Sequence, residues 1–135
     1  MSKESKADRE ASAVVDRFLA AFNAADAAGI AALFAPDSVF VGTAMAEPGR
    51  GPDSVLAYFT PAMKVNLPKG VGLDTTETLT LSDTAVLFSG RCTFWHTREG
   101  RKETAPARYT LLIAKGASGW AIAHFHSSMR PPPPQ

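Results

Sequence analysis

The sequence predicts an α+β fold: a cone-shaped curved antiparallel sheet packed on about three N-terminal helices, with one hollow between the layers. Three observations lead there. Apolar residues recur at helical spacing in the first half of the chain, then fall into β-branched and aromatic runs from Leu73 onward. Helices first and successive strands afterwards put the helices on one face of an antiparallel sheet. The central runs, Ala85 to Thr97 and Glu103 to Ala114, are long enough to twist and curl, and a curled sheet closed by helices leaves a conical hollow.

Residues 1–6 form a polar lead-in, expected to fray. A first helix is expected from about Ala7 to Ala25, with Ala11, Val14, Val15, Phe18, Leu19 and Phe22 along one face. Ala27 to Phe34 reads as a second, shorter helix, capped by Asp26 and stopped by Pro36. Ser38 to Val41 is a short extended piece, and Gly42 to Pro52, with three glycines and two prolines, is a loop. Asp53 opens a third helix through about Met63, with Val55, Leu56, Tyr58 and Phe59 as its apolar face. Pro68, Gly70 and Gly72 break the chain again. Four strands follow: Leu73 to Leu81, Ala85 to Thr97, Glu103 to Ala114 and Trp120 to Met129, with turns at Ser82-Asp83, Glu99-Gly100 and Gly116 to Gly119. Pro131 to Pro134 cannot donate ladder hydrogen bonds and reads as an exposed, extended tail. The 135 residues are the length of one domain, assigned over residues 1–135 with flexible ends at 1–6 and 131–135.

Composition excludes several classes of function. The 14 basic and 13 acidic residues nearly cancel, so no field of one sign draws nucleic acid or an anionic membrane. Arg98 to Lys102 reads as a solvated hairpin turn, not a phosphate site. The one cysteine, Cys92, cannot form an internal disulfide and sits among apolar neighbours as a small hydrophobe. No apolar run reaches the ~18 residues of a membrane span, and the polar start is unlike a secretory leader. The expectation is a cytoplasmic protein without a cofactor: no Gly-rich phosphate loop, Cys-x-x-Cys pair or serine nucleophile elbow is present.

The last strand, from Trp120 through His124-Phe125-His126-Ser127-Ser128 and on to the prolines, has a distinctive pattern. With Arg91-Cys92-Thr93 and the Gly51-x-Asp53…Tyr58-Phe59 helix, it resembles the association (hub) domain of calcium/calmodulin-dependent protein kinase and its bacterial relatives of the SgcJ/EcaC family. All belong to the nuclear-transport-factor-2-like, SnoaL-like superfamily with its cystatin-like fold. The resemblance implies a deep pocket lined by arginines that binds small carboxylates. Only Arg91 carries over in that role. Leu111 and Ser127 stand at two other arginine positions, and Val55 and Met63 at those of a histidine and a tryptophan, so a more apolar ligand is implied. The SgcJ/EcaC likeness points to bacterial secondary metabolism, notably enediyne polyketide pathways.

Alternation sorts the strand side chains. With Arg91 inward, Ser89, Thr93 and Trp95 face in with it, as do Ala107, Tyr109, Leu111 and Ile113, then Ala123, Phe125 and Ser127. Cys92, Phe94, His96, Arg108, Thr110, Trp120, Ile122, His124 and His126 then face out, unless a β-bulge reverses part of a strand. The expected ligand-binding set is Arg91, Trp95, Tyr109, Phe125, Ser127 and Tyr58, around a small apolar ligand bearing a carbonyl or carboxylate. A buried guanidinium needs such a partner, or an acid at the cone mouth. No acid–base pair stands out. His126 and Tyr109 are the candidates for catalysis on an enolisable carbonyl, as in a cofactor-free cyclase or isomerase. His124 and His126, two apart on a strand, could take a metal only with His96 as a third ligand, and no metal is expected; histidines hydrogen-bonded at a subunit contact are the plainer reading. Phe94, Trp120 and Ile122 on the outward face predict a homodimer or higher homo-oligomer. The functions open at this point are a small-molecule-binding protein, an enzyme of the kind just named, and an oligomerisation module.

Overall fold

The computed structural model describes residues 4–134. Helix α1 (Lys6–Asn23) is followed by α2 (Ala27–Ala31), β1 (Phe34–Val41), β2 (Gly49–Arg50), α3 (Gly51–Ala62), β3 (Lys69–Leu73), β4 (Glu77–Ser82), β5 (Ala85–Arg98), β6 (Arg101–Gly116) and β7 (Gly119–Met129). The strands form one curved, unclosed sheet in the order β2-β1-β7-β6-β5-β3, with β4 also paired to β5. Every pairing is antiparallel except β1 with β7.

Local chemistry accounts for the helices. Ser5, expected in a frayed lead-in, instead begins α1: its Oγ accepts from the Asp8 amide at 3.0 Å, and the Asp8 carboxylate accepts from the Ser5 amide at 3.3 Å. Residues 1–3 and 135, the rest of the expected flexible ends, lie outside the described residues, while Pro131 to Pro134 are exposed. Asp26 caps α2 by accepting from the Gly29 amide at 2.9 Å. Helix α2 ends at Ala31, short of the expected Phe34, because Phe34 is drawn into β1 opposite Ile122. Helix α3 carries Pro52 in its first turn, where the missing N–H costs nothing, and Pro61 near its end.

Two strand expectations are corrected. The stretch read as a break around Gly70 is β3, an edge strand in which glycine is tolerated. Leu73 to Leu81 is not one strand, because Asp74–Thr76 arches away between β3 and β4. The amides of Asp74 and Thr75 both donate to the Arg91 carbonyl, and the Arg91 amide donates to Thr75 Oγ1 at 2.9 Å. Gly90 makes room for this arch, since a Cβ there would run into the Thr75 carbonyl.

The core lies between the sheet and the helices. Phe40 on β1 sits at its centre, with ring centroids 5.2 Å from Tyr58, 5.6 Å from Phe59 and 5.3 Å from Phe125. Phe18 and Phe22 of α1 extend the cluster to Phe125 and Phe94. Among the described residues, no helix is long and apolar enough to cross a membrane.

Candidate functional site

Register decides which side chains meet the helices. On β6, Ala107, Tyr109, Leu111 and Ile113 are buried, in the expected phase. On β5 the phase is the reverse of the expected one: Val86, Phe88 and Cys92 are buried and Phe94 packs against the core. Arg91 is therefore exposed on the outer face. The pairing is the reason: Arg91 stands opposite Arg108 and Cys92 opposite Ala107, and cross-strand partners share a face. On β7 an extra residue, Ala123, interrupts the register between Ile122 and His124. This bulge lets both Ile122 and Phe125 face inward, with Ser127 after them, while His124 and His126 face out opposite Leu112 and Thr110.

The main cavity, about 410 Å³, opens between α3, the start of the β1–β2 loop and the far ends of β3, β5 and β7. Its apolar wall is aromatic, chiefly Phe22, Tyr58, Phe59, Phe94, Trp95 and Phe125. Tyr58 closes over Gly42, where an added Cβ would come within 2.7 Å of its ring, and its hydroxyl accepts from the Ala44 amide at 3.3 Å. Ser127 and Thr43 share a hydrogen bond of 2.6 Å across the β7–β1 side. Trp95 has Lys102 Nζ 4.7 Å above its ring centroid.

The ionisable groups at the β3–β5–β6 side lie in one row. Lys69 on β3 is the register partner of His96 on β5, which in turn is the partner of Glu103 on β6. Both Lys69 and His96 line the cavity, with Asn66 beside them. His96 Nε2 lies 3.0 Å from Glu103 Oε1, and Arg98 Nε is 3.5 Å from the same oxygen. A carboxylate only accepts, so Nε2 carries a proton, and in the neutral ring Nδ1 keeps its lone pair. Lys69 Nζ donates to the Ala62 carbonyl, and desolvation holds its pKa below the ordinary lysine value.

Of the residues singled out from sequence, Trp95, Phe125, Ser127 and Tyr58 line this cavity; Arg91, Tyr109 and His126 do not. Tyr109 stands deeper, in a narrow apolar crevice under α1. Its hydroxyl is committed to the Thr75 carbonyl at 2.9 Å and Thr76 Oγ1 at 3.0 Å, and burial raises its pKa. His126 lies in a shallow depression on the opposite face. The three histidines do not share a face, and no group of three or more His, Cys, Asp or Glu able to hold a metal occurs among the described residues. Phe94 and Ile122 face inward, and Trp120 is half-buried with Nε1 donating to Glu10 at 3.2 Å, so none of them supplies the outward apolar face expected from sequence. Lys69 escaped sequence reading because Pro68 and Gly70 on either side look like a break. His96 was placed on the outer face because the phase of β5 was taken from Arg91 and not from its apolar residues.

A half-open sheet wrapped on helices around an apolar cavity defines the nuclear-transport-factor-2-like class. Within it, the chain belongs to the SnoaL-like domain family, which it matches over residues 11–132. A Xanthomonas campestris protein assigned by name to the calcium/calmodulin dependent protein kinase II association domain is similar over 96% of this chain and 90% of its own, at 27% identity and a TM-score of 0.83. A ketosteroid isomerase-like protein from Erwinia carotovora atroseptica matches at 19% identity and a TM-score of 0.76, covering 96% of this chain and all of its own. A protein from Catenulispora acidiphila, solved in complex with S-DNPA, matches at 18% identity and a TM-score of 0.75, covering 90% of this chain and 91% of its own. The last two show the fold alone. No curated protein matches the sequence.

Proposed function

We propose that the protein binds a small, largely apolar molecule in the main cavity and holds its polar end at the Lys69–His96 row. The observation that carries this is the row itself, a cation and an imidazole side by side on the wall of an otherwise aromatic cavity. The cavity volume lies in the range of ligand sites. The Lys69 ammonium donates to a carbonyl or carboxylate oxygen, and the imidazole nitrogen that keeps a lone pair accepts from a hydroxyl. Arg91, on the outer face, has no part in it. The SgcJ/EcaC likeness of the terminal strand fits an accessory role in bacterial polyketide biosynthesis.

The test uses two bicyclic probes of one shape, 2-naphthoate and 2-tetralone, titrated against tryptophan fluorescence in a Trp120→Phe background so that Trp95 reports. Saturable quenching is expected. Lys69→Met should weaken 2-naphthoate by about tenfold, the loss of one charged hydrogen bond, and 2-tetralone by less. Unchanged affinity for both in Lys69→Met, or no quenching by either, rejects the reading.

A second reading, a cofactor-free isomerase or cyclase, is favoured by one observation: Glu103 orients His96 as a carboxylate orients a general base. It predicts deuterium exchange at the α-carbon of bound 2-tetralone in D₂O that His96→Gln abolishes while binding persists. Binding without exchange leaves only the first reading. A homodimer or higher homo-oligomer also belongs to the proposal, now supported by an outer row of Leu79, Leu87, Leu112 and Val39 in register around His124.

A further inference from the structure

The outer face of the sheet carries chemistry that the cavity does not use. Two adjacent cross-strand rows are polar: Ser89, Thr110 and His126 in one, Arg91, Arg108 and Ser128 in the next. Together they frame a depression of about 380 Å³ lined by Ser89, Arg108, Thr110, His126 and Ser128, with Arg91 on its flank. Arg108 Nε donates to Ser128 Oγ at 3.0 Å, which fixes the guanidinium by one edge. Its terminal nitrogens make no hydrogen bond among the described residues.

Two like charges directly opposite on neighbouring strands destabilise a sheet. Among the described residues no acid pairs with either arginine. The ion pairs among these residues are Lys6–Glu10 and Arg98–Glu103, with a His96–Glu103 contact beside the second, and none of these involves Arg91 or Arg108. The acids near these rows are Glu77, in register with Ser89, and Asp74, whose carboxylate is taken by the Thr93 hydroxyl at 2.7 Å. Both stand at the sheet edge. A negative group seated between the two arginines would turn repulsion into two charge-assisted hydrogen bonds, with three hydroxyls and an imidazole around it.

We propose that this face is a second binding site, for a phosphate group held between Arg91 and Arg108 and hydrogen-bonded by Ser89, Thr110 and Ser128. The phosphate is either the free ion or the end of a small phosphoester. Arginine is suited to the task because its planar fork matches two oxygens at once. The site lies across the sheet from the aromatic cavity and needs nothing bound there.

The experiment is a titration of the ¹⁵N-labelled full chain with inorganic phosphate and, separately, with phenyl phosphate, at ionic strength held constant with chloride. Saturable shifts are expected at the amides of Ser89, Arg91, Arg108, Thr110 and Ser128. Arg91→Gln and Arg108→Gln should each weaken binding by about tenfold, with the remaining amide spectrum unchanged as the control for folding, and Arg108→Lys should fall between. Tighter binding of phenyl phosphate identifies a phosphoester ligand, and equal affinity identifies the free ion. The proposal is overturned if the shifts match those of chloride alone, if either Gln variant binds as the parent does, or if the variants change the oligomeric mass while phosphate competes with nothing. That last result would mean that acids of a second copy cover the arginines.

Discussion

Cys92 is buried behind β3 and against Val15, Phe18 and Leu19 of α1. Burial, with a smaller push from the Asp74 carboxylate, raises its thiol from 9.0 to about 11. The folded state therefore keeps a proton that the unfolded state gives up between those values. Its contribution is complete below pH 9 and is lost as pH rises through 11. Urea midpoints measured from pH 8 to pH 11 should fall more steeply in the parent than in Cys92→Ala, and parallel curves would contradict this origin. At pH 8 the thiol should react with a disulfide reagent only as fast as the fold opens. The same desolvation acts on Lys69 in the opposite sense, because there the charged form is the protonated one. One physical cause thus holds the proton on the thiol and loosens it on the amine.

At the scale of elements, α1 depends on its first turn. Ser5→Ala removes one half of the capping box and should cost about 1 kcal/mol of stability, read from urea unfolding at constant slope; a loss within experimental error would mean that the end is frayed. The capping residues were legible in sequence, but Ser5 was assigned to the lead-in and Asp8 to the helix expected from Ala7, so the two were not read as a pair. The strands teach a related lesson. Val86, Phe88, Cys92 and Phe94 all fall on even-numbered positions, with Gly90 filling the gap, so the inward phase of β5 was present as plain alternation. A single residue, Arg91, set the phase instead, and every neighbour on that strand went with it. β6 has no such competing residue. On β7 the turnover between Ile122 and Phe125 comes from a bulge, which depends on a register with β6 that one strand does not encode. The cavity's aromatic residues were legible because they are also core residues; its polar row was not, because it exists only where β3, β5 and β6 lie side by side.

For the whole molecule, the helix-plus-curled-sheet architecture was readable from the order of patterns, whereas the parallel β1–β7 pairing was not. The outer face is divided: a leucine and valine row at one end and a pair of arginines four residues further along the strands. If self-association uses the apolar row, Leu112→Lys should lower the mass seen by light scattering at tens of micromolar to that of a single chain, without loss of helical signal. A parent protein already of single-chain mass would reject the association itself. Leu112 is half-buried between Leu87 and His124, so Leu112→Thr, milder in size and uncharged, serves as the control for the fold.

The pairing of β1 with β7 also governs how the chain reaches this state. Phe34 meets Ile122 and Phe40 meets Phe125 only after the last strand exists, so the centre of the core joins segments 85 to 88 residues apart. Contacts that distant carry a large loop-closure entropy and slow the search. During synthesis, α1, α2 and β1 leave the ribosome first, and Phe18, Phe34 and Phe40 lack their contact with Phe125 until the segment from Trp120 to Ser128 emerges. Exposed aromatic surface over that interval favours aggregation and chaperone binding. The strand that closes the aromatic cluster is thus the one on which productive folding in the cell waits.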